Sequence, residues 1–388
     1  MPDLELTIMS SSAALPPLLK QFEAEHRVQV QVKVFSWETA WAEIVKMALY
    51  GDGPDVSEIG STWVGSLISM NALRPFTGPE LAQIGGPSAF LPSAWQTGSA
   101  PNASRMWAVP WLADTRFAFY RRDVLAQAGI DERTAFQTPG QFESALQRLQ
   151  VGGVVRPWLA PTHRTLVTLH NVASWIWSAG GDFISSNGQA TAFNEPAARA
   201  GLRAYFDLHR YLMPSDQGHV DLPFLQGKIA VAMGGPTLFY NLASPVGDNL
   251  GIALPLGIPF VGGTNLVVWK HTRQANAAVE LVRYLTSQEV QATYPQQATV
   301  LPVRTDVPLA SPLAENPLYR FMNEGGKVGR TFPSVPLWGL VEDRLGVALF
   351  QIWSDILADP NADLEAVLGQ HLDSLAQRLN TTLGATRK

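Results

Sequence analysis

Between Leu4 and Ile68 the chain alternates strand-like and helix-like stretches, and this alternation restricts the fold more than any other feature of the sequence. Val28, Val30, Val32 and Val34 are separated by Gln29, Gln31 and Lys33, the two-residue period of a half-buried strand. Leu4–Met9 reads as a strand before it, and Leu15, Leu18, Leu19 and Phe22 repeat at helical spacing between the two. Trp41, Ile44, Val45 and Ala48 mark a second helix that Gly51 ends. Val56–Ile59 reads as a third strand, and Gly60–Ser61–Thr62–Trp63 opens a third helix carrying Val64, Leu67 and Ile68. Strand, helix, strand, helix, strand predicts a parallel sheet with right-handed crossovers. Ligands of such sheets lie beyond the carboxyl ends of the strands. Those ends are Ser10–Ser12, Trp37–Glu38, Ser61–Trp63 and, further along, Asp114.

A second informative stretch runs from Trp107 to Ile130. Trp107, Val109 and Trp111 alternate with other residues as in a half-buried strand, whereas Phe117–Tyr120 is a continuous apolar run suited to a strand buried on both faces. Asp114, Thr115 and Arg116 sit at the joint, so a carboxylate, a guanidinium and the Trp111 indole meet where a hinge is expected. Asp123 can cap a short helix over Val124–Ala128 that Gly129 ends.

Downstream, Thr138–Pro139–Gly140–Gln141 starts a helix reaching about Gln150. Helices are predicted over Thr165–Ala179 and Glu195–Leu212, strands over Lys228–Met233, Gly251–Leu256 and Leu266–Trp269, and a helix from Pro236 through Leu242. The end of the chain reads as all helix, whereas Pro75–Ser104, rich in Pro, Gly, Ser and Ala, reads as a surface excursion. At 388 residues two domains are expected, because single cores stop growing at about 250–300 residues.

A net charge of −5 and the lack of any Lys/Arg cluster argue against nucleic acid or an anionic membrane as partner. Without Cys there is no disulfide, thiolate metal site or thiol nucleophile. The seven His are scattered, and no Walker loop, GxGxxG, GxSxG or HExxH occurs. Asp359–Asp363 begins like a calcium loop but has Leu364 where Gly is required and Gln370 where Glu is required, so it reads as a helix start. The excess is in Trp, with 12 residues. An indole N–H is costly to bury unpartnered, so some of these rings are expected to face a ligand.

The GDGPDV turn, VPWLADTRFAFYRRDVLAQAGI, TPGQFESAL, the glycine pairs at 180–181 and 262–263, FLQGKIAVAMGGP and the Leu301–Arg304 stretch occur together and in order. In this the chain resembles the extracellular solute-binding proteins of ABC importers, family 1, the sugar-binding type that includes maltose-binding protein. The resemblance covers residues 4 to 305. It implies an α/β, two-lobed periplasmic-binding-protein fold of class II type, each lobe a mostly parallel sheet flanked by helices, with a hinged cleft between. Lobe one is then residues 1–113 plus 262–308, and lobe two 114–261 plus 309–388. It further implies a monomer that takes a sugar or oligosaccharide and hands it unchanged to permease subunits, with no cofactor, metal or catalytic residue. Work outside the cytoplasmic membrane is implied too, with an export or lipoprotein segment that this sequence, opening MPDLELTI, lacks.

Carried over residue by residue, the resemblance places Asp114 at a sugar-binding carboxylate, and Ser11, Ser12, Trp37 and Glu38 where the first two strands deliver pocket residues. Thr62 stands where several members have Asp. Gly235 and Thr237 follow the strand of the GGP unit, Thr237 where maltose-binding protein has a stacking Trp. His170 and Asn171 fall among pocket residues of lobe two.

A sugar offers apolar C–H faces and a rim of hydroxyls, so its site needs aromatic faces and a few polar anchors. Trp63 and Trp111, beside strand ends, are the leading stacking candidates, followed by Trp37, Trp338 and Trp175. Trp41, Trp107, Trp269 and Trp353 lie inside predicted strands or helical stripes and read as core. Asp114 has two readings, a ligand contact or an ion pair with Arg116, and Glu38 also suits a helix N-terminus. Two other classes remain: a glycan-cleaving enzyme, and a binder of a polyamine, phosphate ester or metal chelate on the same fold.

Overall fold

The computed structural model describes residues 3–9, 12–100, 103–162, 166–215, 221–308 and 313–385. Among them are the strands β1 (Asp3–Ile8), β2 (Gln29–Val34), β3 (Val56–Gly60), β4 (Ala108–Thr115), β5 (Phe117–Arg121), β6 (Trp158–Pro161), β7 (Leu212–Ser215), β8 (Val231–Gly234), β9 (Leu250–Ala253), β10 (Val261–Val268) and β11 (Leu301–Pro302). The chain forms two compact units. One comprises Met1–Asp114, Val261–Lys327 and Thr331–Gly339; the other comprises Thr115–Phe260, Val328–Arg330 and Leu340–Lys388.

The first unit carries a sheet of order β11-β4-β10-β3-β1-β2. β1 lies between β2 and β3 and is parallel to both, as the opening alternation predicts. β10, which returns from the second unit, runs antiparallel to β3, so the sheet is mixed. The helix Leu15–His26 buries Leu15, Leu19 and Phe22, successive residues of one stripe. Gly51, at φ 62°, ends the helix Trp37–Tyr50 by donating its N–H to the Met47 carbonyl. On one face of the sheet Ile44, Ile59, Val64, Leu67, Val267 and Trp269 form a common core.

Residues 75–104 differ from the expected surface excursion. They fold into the short helices Gly78–Ile84 and Pro92–Gln96 with a 3-10 turn at Pro87–Ala89 between them. Ile84, Phe90 and Leu91 are buried, and the Leu91 N–H bonds the Val303 carbonyl at 2.8 Å. The buried apolar residues here fall in short groups between Pro and Gly breaks, which leaves no periodic signature in the sequence. Arg304 ties this layer down. It donates to the Ile84 and Thr286 carbonyls, lies over the Phe90 ring and pairs with Asp306.

The second unit has a sheet of order β7-β6-β8-β5-β9. β6 is parallel to β7 and β8, whereas β5 is antiparallel to β8 and β9. Phe117, Ala118 and Phe119 of β5 are all fully buried, as a continuous apolar run requires. Phe142, Trp158, Trp175, Tyr205 and Trp353 form an edge-to-face aromatic core beside this sheet. The helices Leu166–Ser178 and Pro196–Phe206 approach so closely that Gly201 has no room for a Cβ beside the Trp175 carbonyl.

Gly201→Ala should therefore destabilise the protein by about 1–3 kcal/mol through overpacking, read as a lowered unfolding midpoint. Gly140→Ala, which meets nothing within 4 Å, is the control and should leave the midpoint in place. Bonding to Arg304 holds the Asp306 carboxyl below its ordinary range. Such a group adds stability that is fully present above the unfolded-state value of about 4 and lost as pH falls through the folded-state value. Asp306→Asn should lower the thermal midpoint at neutral pH and flatten its decline below about pH 4, measured by melts across pH.

Candidate functional site

In the first unit, β1, β2 and β3 run parallel, so their carboxyl ends share one edge of the sheet. At the end of β3 the chain turns sharply, with the Trp63 N–H bonded to the Gly60 carbonyl and the Ser61 N–H to that of Gly263. A Cβ at Gly60 would press on the Trp63 ring at 3.2 Å, so the glycine lets the indole rest on the main chain. Thr62 and Trp63 are nearly buried, at 9% and 6% exposed. At the end of β2 the helix Trp37–Tyr50 begins. Trp37 remains 45% exposed, and its ring meets Trp63 edge-on at 5.7 Å. Trp41 packs on Trp63 from the next helical turn, at 5.2 Å. Three indoles thus stand together, one of them open to solvent.

After β1, the Ser12 hydroxyl accepts the Ala14 N–H and its carbonyl accepts that of Leu15. Ser12 borders a cavity of about 590 Å³, shared with Ala14, Pro17, Leu18, Thr293 and Gln297. Because Pro16 and Pro17 carry no N–H, the first turn of the helix Leu15–His26 presents no free amide to an anion. Asp114, half-buried, is the penultimate residue of β4. Ser11 lies outside the described residues, and of Glu38 only the main chain is described.

Trp111 and Trp338 occupy buried positions in the first unit. Trp111 is fully buried and stacks on Tyr294 at 5.4 Å with 12° between the rings. Its carbonyl accepts the Gln291 side-chain N–H at 2.7 Å. Trp338 is fully buried against Phe332 at 4.7 Å. The two leading indole candidates therefore have different company: Trp63 sits with Trp37 and Trp41, and Trp111 sits with Tyr294.

In the second unit His170 lies flat on Phe260 at 4.3 Å. Burial, aided by the charge of Arg116, holds this imidazole well below its usual range, so it is neutral at pH 7. Asn171 and Trp175 are fully buried in the aromatic core, Trp175 between Phe142 and Tyr205. Gly235 caps the helix Pro236–Val246, and Thr237 is exposed in its first turn.

Trp41, read from its spacing as core, packs against the hydrophobic core of the first unit and also joins the indole cluster, and the buried Glu58 of β3 was missed altogether. A signal for Glu58 existed, an acid inside an otherwise uncharged run from Val56 to Gly60. Among the described residues no group of three or more His, Asp or Glu is placed to hold a metal ion, and no helix is long and apolar enough to cross a membrane.

Comparison with known proteins places this geometry in a family. The diacetylchitobiose binding protein DasA of Streptomyces coelicolor is 23% identical over 349 residues, covering 84% of this chain and 78% of that one. A probable ABC transporter-binding protein of Deinococcus radiodurans is 24% identical over 270 residues, 64% of this chain and 62% of the relative. Among solved structures, the sugar-binding protein MalE of Xanthomonas citri superposes with a TM-score of 0.85 at 21% identity, over 99% of this chain and 98% of that one. An ABC transporter solute binding protein of Thermotoga lettingae, bound with α-D-tagatose, gives 0.79 at 21% identity over 99% and 100%. These likenesses establish the periplasmic-binding-protein fold, α/β with two lobes. The family described as bacterial extracellular solute-binding protein matches residues 18–320, most of the chain. The chain belongs to the bacterial extracellular solute-binding proteins.

Proposed function

We propose that this protein binds a sugar or oligosaccharide on the outer side of the cytoplasmic membrane and, as a monomer, delivers it chemically unchanged to the permease of an ABC transporter. The observation that carries the reading is the indole cluster at the strand ends, where the open ring of Trp37 is backed by Trp63 and Trp41 beside Thr62. An indole face held by other rings suits the C–H face of a pyranose, and hydroxyl and carboxylate groups suit its rim. Ser12, Thr62 and Asp114 supply such groups.

The relatives point the same way: one is named for diacetylchitobiose, and solved neighbours are described as sugar-binding or hold tagatose. The proline-blocked start of the helix Leu15–His26 favours an uncharged solute over a phosphate ester. A glycan-cleaving enzyme would need two carboxylates about 5–9.5 Å apart. The sequence offers only Asp114 and Glu38 for that role, and incubation with oligosaccharides without turnover is the expected result.

Titration with a panel of sugars should change the tryptophan emission, and native mass spectrometry of freshly purified protein should show a retained carbohydrate. A flat response to every sugar with a response to an amine or a phosphate ester would overturn the reading. Trp37→Ala should weaken binding by more than ~1 kcal/mol, the scale of an aromatic anchor, with little change in the melt because the ring is already half exposed. Trp111→Ala, by contrast, should lose about 3–5 kcal/mol of stability, since its ring is fully buried. Asp114→Asn should weaken sugar binding while leaving the melt nearly unchanged; a large stability loss with intact affinity would make Asp114 a structural partner instead.

A further inference from the structure

Glu58 is an acid for which the site described so far has no use. It is 2% exposed, in the middle of β3, with Ser57 and Ile59 as neighbours. A carboxylate is buried in this way only when hydrogen bonds replace its water. Its Oε2 accepts the Met9 N–H at 2.7 Å, a charge-assisted bond to the main chain.

The place of that bond matters. β1 pairs with β3 through Leu6↔Val56 and Thr7↔Ser57, so Glu58 stands level with the end of β1. Met9 is the first residue beyond β1. On the other side, the Ile8 carbonyl accepts the Phe35 N–H from beyond β2 at 2.9 Å. The exit of β1 is thus clamped from both neighbouring strands, and one clamp is a side chain. From Met9 the chain proceeds to Ser12 on the rim of the cavity.

We propose that Glu58 is a positioning residue for ligand binding: it holds the Met9 amide at the exit of β1, shortly before Ser12 in the chain. This deepens the reading that the solute meets the carboxyl ends of the first unit's strands, and rests on it.

The test compares wild type with Glu58→Gln and Glu58→Leu, using maltose, diacetylchitobiose and tagatose as probes. Hydrogen exchange over residues 8–15 is followed in the free proteins. Gln keeps an acceptor oxygen, so its affinity should stay within about threefold of wild type and its exchange unchanged. Leu should weaken binding at least about tenfold, the scale of a lost bond to a charged acceptor. It should also speed exchange from Met9 to Leu15 while β1 stays protected. Wild-type affinity in the Leu variant, an even rise in exchange through the whole sheet, or failure of Gln to rescue would each overturn the proposal. Should wild type bind none of the three probes, the affinity comparison moves to a sugar of the panel that changes the tryptophan emission; if none does, the sugar reading fails, and the exchange pattern alone decides the role of Glu58. Should the Leu variant not fold, Glu58→Asp, one methylene shorter, takes its place and should show the same localised exchange.

Discussion

At the centre of the first unit, the Ser57 hydroxyl lies 2.6 Å from that of Thr7 and accepts the indole N–H of Trp269 at 2.7 Å. Thr7 is on β1, Ser57 on β3, and Trp269 directly follows β10. The bond chain therefore crosses from the parallel half of the sheet to the strand that returns antiparallel. All three residues are buried, where an unmet donor or acceptor costs about 1–3 kcal/mol. Register errors at this junction would orphan several groups together. The strand ends that carry Ser12, Thr62 and Trp63 inherit their alignment from it.

The opposite face of β3 repeats the device with a charge. Glu58 takes the Met9 amide, and burial, with a lesser contribution from the Glu58 charge, pushes the Tyr294 hydroxyl above its ordinary range. Tyr294 in turn is the ring on which Trp111 stacks. Polar groups of one short strand thus bear on β1, on the returning strand and on the exit of β1. Buried networks of this kind specify a single arrangement when fully satisfied.

The sequence disclosed the elements whose pattern is local. The apolar run of β5 and the capped start of the helix Pro139–Val151 describe their own surroundings within a few residues. The alternating valines of β2 give the strand but not its burial: β2 is the edge strand of its sheet, and Val32 and Val34, expected on a half-buried face, are exposed. What it hid depends on partners far along the chain. The docking of Leu91 on Val303 leaves no period to read. Trp37, Trp63 and Trp111 all follow or end strand-like stretches and look alike in sequence. Their fates diverge because Tyr294, distant in the chain, stacks on the buried Trp111, whereas Trp37 stays 45% exposed. The mixed first sheet has the same origin, since β10, distant in the chain, runs antiparallel to β3.

An exposed indole is an unreliable anchor when its own rotamers are free, because ordering it on binding costs conformational entropy. Here that freedom is reduced before any ligand arrives. Trp37 begins a helix and rests edge-on against Trp63, which is itself nearly buried, packed on Trp41 and laid over a glycine main chain at Gly60. A Cβ at Gly60 would press on the ring of Trp63, against which Trp37 rests. The orientation of the exposed ring is therefore a property of the packed layer beneath it, down to the glycine main chain on which Trp63 rests.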